Sequence, residues 1–394
     1  MTPAEVARLR ADTPGCSRVL HLNNAGSALP PAPVLEAQLA HLRLEAEIGG
    51  YEAADRAAPV VDRAYTAVAA LLNAQPDEIA VVENATRAFD MAFYAFPFRK
   101  GDRILTSVVE YASNYLAFLQ VARRTGAVVE PIASEADGTI SLPALRASLA
   151  RDDRARLVAL THVPTNGGLV NPAAEVGQAC REAKVPFLLD ACQSAGQMPL
   201  DVEVLGCDVL SATARKFLRG PRGVGFLYVR RSLLESLEPP FVDLHAATWT
   251  SRDGYELRND ARRFENWEGN VAAKIGLVAA VDYALGLGLP RIRDRVVALA
   301  ERLRSGLADV PGVKVRDQGG SKCGIVTFDA ARPSPDELKQ TLRARGINVS
   351  VTTTTSTRLD MDARGLTEMV RASVHYYNTE DEVDLFCREV RALL

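Results

Sequence analysis

Short continuous apolar runs, separated by longer stretches of helical period, fill the first two thirds of the chain. Glu78–Val82 (EIAVV), Asp102–Ser107 (DRILTS), Arg156–Thr161 (RLVALT), Val185–Leu189 (VPFLL), Cys207–Ser211 (CDVLS) and Gly223–Val229 (GVGFLYV) read as strands. They do not alternate apolar with polar residues. Such runs mark strands buried on both faces of a mostly parallel sheet. The segments between them have helical character: RAFDMAFYAF after Asn84-Ala85-Thr86, a stretch from Asn114 to Thr125, and VNPAAEVGQACREAK. The expected fold is therefore α/β with a doubly wound sheet. Beyond about residue 262 the pattern changes. Two long apolar helices (VAAKIGLVAAVDYALGLG and IRDRVVALAERLRSGLADV) precede strand-like VKVRD and CGIVTFD, helix PDELKQTLRARG and strand INVSV. A Thr-rich loop, strand EMVRASVHY and a helix from Glu380 follow. This reads as a smaller α+β unit.

Composition narrows the function classes. The chain has 394 residues, 47% of them hydrophobic and 24% charged, which is ample apolar material for a large core and excludes global disorder. A net charge of -3 gives no basic surplus, so neither nucleic acid nor a membrane surface is an expected partner. The N-terminus (MTPAEVARLRADTPG) lacks an apolar signal core, and no window has the uninterrupted apolar length of a membrane span. The six cysteines (Cys16, Cys180, Cys192, Cys207, Cys323, Cys387) are scattered without CxxC spacing. Neither a metal site nor a disulfide scaffold is expected, and a reducing cytoplasm is the expected compartment. Only seven of the 46 basic residues are Lys, which shortens the search for lysine chemistry.

In an open parallel sheet, ligands bind beyond the carboxyl ends of the strands. Three segments stand there. Asp190 ends VPFLL and reads either as a helix N-cap or as a carboxylate facing a cationic ring nitrogen. Lys216 follows CDVLS in ATARKFLRGPRG and reads either as a solvated turn lysine or as a Schiff-base nucleophile. Asn84-Ala85-Thr86-Arg87 begins a helix and reads either as a simple cap or as a phosphate cradle.

Together these segments place a lysine, a carboxylate and an anion site in fixed order on one sheet edge. In that combination the chain resembles the fold type I pyridoxal 5'-phosphate (PLP) enzymes, and among them the class V aminotransferase and cysteine desulfurase superfamily. The resemblance runs from HLNNAGSALP to VRASVHYYNTEDEVD. It implies a large PLP domain at 21–262, connecting helices and a small C-terminal domain at 263–394, and an N-terminal segment at 1–20 that joins the small domain. It also implies a homodimer with residues 245–270 reaching the partner's site.

Residue by residue, the resemblance makes Lys216 the Schiff-base lysine and Asp190 the partner of the ring nitrogen. It sets Gln193 against the ring hydroxyl, and gives the phosphate to Thr86, the Arg87 amide, Thr213 and Arg215. Tyr111 falls where an aromatic or His ring covers the cofactor. Thr165 or Asn166 contacts the ring oxygen or the substrate. Arg371 matches the arginine that grips the substrate carboxylate, a task suited to a bidentate guanidinium. Asn24, Ala25 and Gly26 approach the substrate from the N-terminal segment.

Departures from the pattern indicate the reaction. Desulfurases carry a sulfur-accepting Cys on a loop before the final arginine motif, but VSVTTTTSTRLDMDARGL has none. Where relatives have a GTPN-like motif for a cross-subunit phosphate contact, this chain has Trp267-Glu268-Gly269-Asn270. HLNNAGSALPP, RRFENWEGNVAAK and RASVHYYNTEDEVD resemble the branch of isopenicillin-N-epimerase-like proteins and hercynylcysteine sulfoxide lyases. The leading expectation is a carbon–sulfur lyase acting on a cysteine-derived amino acid and yielding pyruvate and ammonia. Transamination or epimerisation is the first rival, followed by desulfuration and by a non-catalytic scaffold. The loop Thr352–Thr357 is a candidate lid or a plain solvent-exposed turn.

Overall fold

The apolar runs form a seven-stranded sheet in the computed structural model, which describes residues 1–394. Its strands are β1 (Ile79–Val82), β2 (Arg103–Ser107), β3 (Val128–Ile132), β4 (Ala155–Thr161), β5 (Phe187–Asp190), β6 (Val209–Thr213) and β7 (Gly225–Val229). Their order across the sheet is β1-β7-β6-β5-β4-β2-β3, and only β7 runs antiparallel to its neighbours. Alternate side chains enter separate cores. Val158, Leu160, Phe187, Leu189 and Leu210 belong to one, and Leu157, Ala159, Leu188 and Val209 to the other. Burial on both faces is why the strands lack a polar period.

Several elements differ from the sequence reading; the strands read from Val185 and Gly223 begin at Phe187 and Gly225. The strand expected at Cys207–Ser211 starts two residues later. Asp208 is used in the preceding turn, where its carboxylate accepts the Phe187 N–H at 2.9 Å and pairs with Arg230 at 3.2 Å. Thr213 is consequently the last strand residue, and Lys216 lies in a shorter turn. Strand β3 was not anticipated. It is the outer edge strand, largely open to solvent, and carries Glu130 and Pro131, features that blunt an edge and hide the apolar run.

The small unit is an antiparallel sheet of β8 (Val313–Val315), β9 (Ile325–Ala330), β10 (Ser350–Thr353) and β11 (Glu368–Ser373), in the order β8-β9-β11-β10. The expected strand INVSV is broken. Ile347–Asn348 instead pairs in parallel with Leu20–His21, which stitches the N-terminal segment to this unit.

Helix Val271–Leu287 packs against helices Ala32–Ile48 and Gly50–Leu72. Small residues on it permit close approach: a Cβ on Gly276 would come within 2.5 Å of Pro221 and 2.7 Å of Gln38. The chain then turns by 80° at Gly288, whose φ of +86° suits glycine, into helix Leu289–Ala308. No single helix is long and apolar enough to cross a membrane. One apolar cluster runs unbroken from the sheet through these helices into β9 and β11.

Candidate active site

Register brings the chemistry to one edge of the large sheet. Thr161, Asp190 and Ser211 are neighbours in one cross-strand row, and Val82, Gly225 and Thr213 in another. A Cβ on Gly225 would lie 2.6 Å from the Ala212 carbonyl oxygen and within about 3 Å of the Asn84–Ala85 backbone. This glycine therefore lets the start of helix Ala85–Phe93 settle directly on the sheet. Thr86 is exposed there, and the Asn84 side chain accepts the Arg87 amide at 2.9 Å.

The turn after β6 is wound tightly. The Gly220 N–H donates to Ala214 O at 2.8 Å, and Arg219 takes a positive φ of 61° while donating its N–H to Lys216 O at 2.9 Å. The buried Arg219 side chain fastens this turn. It donates to Leu29 O (2.8 Å), Tyr376 Oη (2.6 Å) and Thr13 Oγ1 (2.6 Å), and lies 4.5 Å from the Tyr377 ring centre. His375 holds the other side. Its Nδ1 accepts the Tyr376 N–H at 2.8 Å, which leaves Nε2 to donate to Phe217 O at 2.8 Å. Burial drives its imidazole well below the usual range, so the ring is neutral.

Lys216 projects from this turn, half-buried. Burial pushes its ammonium down, Arg215 and Arg371 push the same way, and Cys192 and Asp190 oppose them. Asp190 is buried at the end of β5, accepting the Cys192 N–H at Oδ1 (2.8 Å) and Asn114 Nδ2 at Oδ2 (2.9 Å). Arg371, on β11, is buried without an acidic partner. Its Nη1 donates to Thr165 Oγ1 and its Nε is unpartnered. Burial lowers the guanidinium to about 10, and the charge of Arg215 adds to this effect.

Gln193 links the pieces: its Nε2 donates to Ala25 O at 3.2 Å and to Thr165 Oγ1 at 3.5 Å, and its Oε1 is buried without a partner. Tyr111 stands at the start of helix Ala112–Thr125.

Other sequence candidates lie elsewhere or have other partners. The Asn166 side chain is fully used by Thr352, Thr357 and Met361, so Thr165, not Asn166, lies between Gln193 and Arg371. Asn24 is consumed by Ser373 O (2.7 Å), His21 O and Tyr377 Oη. The Ala25 N–H donates to Ser373 Oγ at 2.9 Å. The Arg215 guanidinium donates to Gly26 O. Asn270 caps helix Val271–Leu287 through the Ala273 N–H at 2.8 Å, and Trp267 is exposed. Thr352 and Thr353 belong to β10, and the turn beyond them rests on the large sheet's side, where Ser356 O accepts the Ala112 N–H at 2.9 Å.

Reading the sequence missed Glu110 and Asn114, buried beside Asp190, and His162 with its partner Ser194 at 3.0 Å. The only hint was the four-residue spacing of Glu110 and Asn114 just after an apolar run.

These residues fit PLP. The helix start at Ala85 with Thr86 and Thr213 suits the phosphate, Asp190 the ring nitrogen, and the unpartnered amide oxygen of Gln193 marks a polar position with no protein partner. Replacing Gly225 by Ala should push the helix start off the sheet, because the new methyl meets backbone on two sides. We expect PLP binding to weaken at least about tenfold and the melting temperature to fall, measured by PLP titration and thermal denaturation. Native affinity in Gly225→Ala would refute this account of the cradle.

Comparisons with known proteins agree with the geometry. A family model described as Aminotransferase class-V matches residues 20–386. The chain is 30% identical to a protein named probable cysteine desulfurase from Synechocystis, over 100% of this chain and 96% of that one. It is 33% identical to a probable hercynylcysteine sulfoxide lyase from Mycobacterium tuberculosis, over 95% of this chain and 90% of that one. The apo structure of a cysteine desulfurase from Thermococcus onnurineus superposes with a TM-score of 0.91 at 27% identity, covering 100% of this chain and 98% of that one. A cystine C–S lyase in complex with cysteine persulfide superposes with a TM-score of 0.86 at 25% identity, covering 97% and 99%. The match of fold and of nearly the whole length means that this chain belongs to the class V aminotransferase family of PLP-dependent enzymes.

Proposed function

We propose that the protein is a carbon–sulfur lyase that removes the β-sulfur group of a cysteine-derived amino acid. The observation that carries this reading is where the thiols lie. The segment between β10 and β11 has no cysteine, and the one thiol electrostatically coupled to Lys216 is Cys192. Burial and the adjacent Asp190 carboxylate push that thiol far up. It stays protonated and is a poor sulfur acceptor. Cys180, Cys207 and Cys323 are buried in the cores, and burial raises all three. Elimination needs no protein thiol. The similarity to proteins named as a sulfoxide lyase and a cystine C–S lyase supports the same reading.

The chain's residues divide the work. Arg371, with Thr165 beside it, binds the substrate α-carboxylate. Asp190 keeps the cofactor ring nitrogen protonated, and Gln193 faces the ring hydroxyl. When bound, PLP supplies an electron sink for the pair released at the substrate α-carbon. Lys216, whose ammonium is disfavoured by burial and by Arg215 and Arg371, takes the α-proton onto Nζ as general base. The β-carbon–sulfur bond then breaks and sulfur leaves with the bonding pair. Overall, one cysteine conjugate and one water give pyruvate, ammonium and a thiol; a sulfoxide gives the sulfenic acid in place of the thiol.

The test is incubation of the PLP-loaded protein with a panel of cysteine S-conjugates and their sulfoxides. Pyruvate and ammonium should form in equal amounts. Alanine with enzyme-bound persulfide would instead make it a desulfurase, and stoichiometric conversion of the cofactor to its pyridoxamine form an aminotransferase.

We also infer a homodimer. Phe241, Leu244, Trp249, Tyr255 and Trp267 expose large apolar area along one segment of a soluble-type surface. Light scattering should give twice the 42.5 kDa chain mass, and a monomer would refute the inference.

A further inference from the structure

A second carboxylate stands behind Asp190, and the reaction as derived gives it no task. Glu110 is buried just beyond β2. Its Oε1 accepts the Tyr111 N–H (2.9 Å), Asn114 Nδ2 (2.9 Å) and the Thr161 hydroxyl; its Oε2 accepts the Thr106 hydroxyl (3.0 Å) and the Thr161 N–H (3.0 Å). Asn114, also buried, directs the other hydrogen of the same amide to Asp190 Oδ2 at 2.9 Å. Reversing that amide would set its oxygen against two carboxyl oxygens, so the network fixes its orientation. Thr161 and Asp190 are direct neighbours in the sheet, and the Glu110 contacts to Thr161 therefore tie the network to the strand beside Asp190.

An aspartate at a strand end has free side-chain torsions. Here two donors remove that freedom, the Cys192 N–H on Oδ1 and the Asn114 amide on Oδ2. Each oxygen keeps a further lone pair for a ligand.

We propose that Glu110, acting through Asn114, is a positioning residue that locks the Asp190 carboxylate in the orientation that meets the cofactor ring nitrogen. This rests on Asp190 being the partner of that nitrogen. Burial pushes the Glu110 carboxyl up, the hydrogen bonds from Thr161, Asn114 and Tyr111 oppose that shift, and the nearby Asp190 adds to it. Precise orientation matters because the strength of a charge-assisted hydrogen bond falls quickly with misalignment.

The test compares native, Asp190→Ala, Asn114→Ala and Glu110→Gln proteins loaded with PLP labelled with ¹⁵N in the ring. The readouts are the ring ¹⁵N chemical shift, the PLP dissociation constant and the melting temperature. Asp190→Ala should move the ¹⁵N signal to the unprotonated position. Asn114→Ala should move it part of the way and raise the dissociation constant about tenfold, the loss of one charge-assisted hydrogen bond. Glu110→Gln, nearly isosteric, should shift both in the same direction by less, and it carries the test if Asn114→Ala fails to fold. Native ¹⁵N shift and PLP affinity in Asn114→Ala and Glu110→Gln, with Asp190→Ala responding, would overturn the positioning role alone. An unchanged ¹⁵N signal in Asp190→Ala would overturn the underlying assignment and the proposal with it.

Discussion

Replacing Lys216 by Ala is expected to lower kcat for pyruvate formation about 10³-fold or more, and to abolish the covalent attachment of PLP while PLP still binds. Both effects have one origin. The turn that carries Lys216 is fastened by Arg219 from below and by His375 through Phe217 O, so the lysine is held at the mouth of the large sheet. Its setting also disfavours the ammonium form: burial does most, Cys192 and Asp190 oppose it, and the charges of Arg215 and Arg371 add to it. A lysine whose pKa falls below its ordinary 10.5 carries more neutral amine at a given pH, and the neutral amine is the form that forms a Schiff base and accepts a proton. Activity should therefore rise through a lower pH than it would with an unperturbed lysine. Lys216→Arg should not rescue, because a guanidinium keeps its proton across the working pH range. Steady-state pyruvate assays and visible absorbance check this together. A Lys216→Ala protein within tenfold of native kcat would remove Lys216 from the chemistry.

What the sequence made legible follows from local physics. Asp190 and Lys216 stand at the ends of uninterrupted apolar runs, and in a parallel sheet strand ends face the ligand. Their neighbours VPFLL and CDVLS could be seen without any knowledge of the partner strands. β3 could not, because an edge strand with Glu130 and Pro131 has no buried run to recognise. The turn after β4 has no periodicity, so sequence spacing could not choose between Thr165 and Asn166. The choice is made by β10 and the following helix, where Thr352, Thr357 and Met361 engage Asn166. Arg215 looked suited to an anion and instead reaches Gly26 O, a contact made across a sequence separation of 189 residues. The Glu110–Asn114–Asp190 bridge depends on β2, β4 and β5 being adjacent, a fact of topology that residue spacing does not carry.

The same logic gives Arg371 an opposite sign for activity and stability. In the protein without substrate it is a buried cation whose only hydrogen-bond partner is Thr165, with no carboxylate beside it. Holding this charge at neutral pH without an acidic partner costs folding stability, because burial lowers the guanidinium to about 10. Because the folded pKa is lowered, that cost is present in full below pH 10 and is relieved only as pH rises above it. A substrate carboxylate arriving at Nε and the terminal nitrogens would offset it with a bidentate pair. Arg371→Met should accordingly raise the melting temperature of the cofactor-free protein, while kcat/KM falls about 10²- to 10³-fold, mostly through KM. Arg371→Lys should recover only part of the loss, since an ammonium cannot form the two parallel bonds. A substrate whose carboxylate is replaced by a neutral amide separates the causes. It should be about as poor with native protein as the acid is with Arg371→Met, and Arg371→Met should not discriminate between acid and amide. If Arg371→Met keeps the native KM, the arginine does not bind the substrate carboxylate, and its burial without an acid would need another reason.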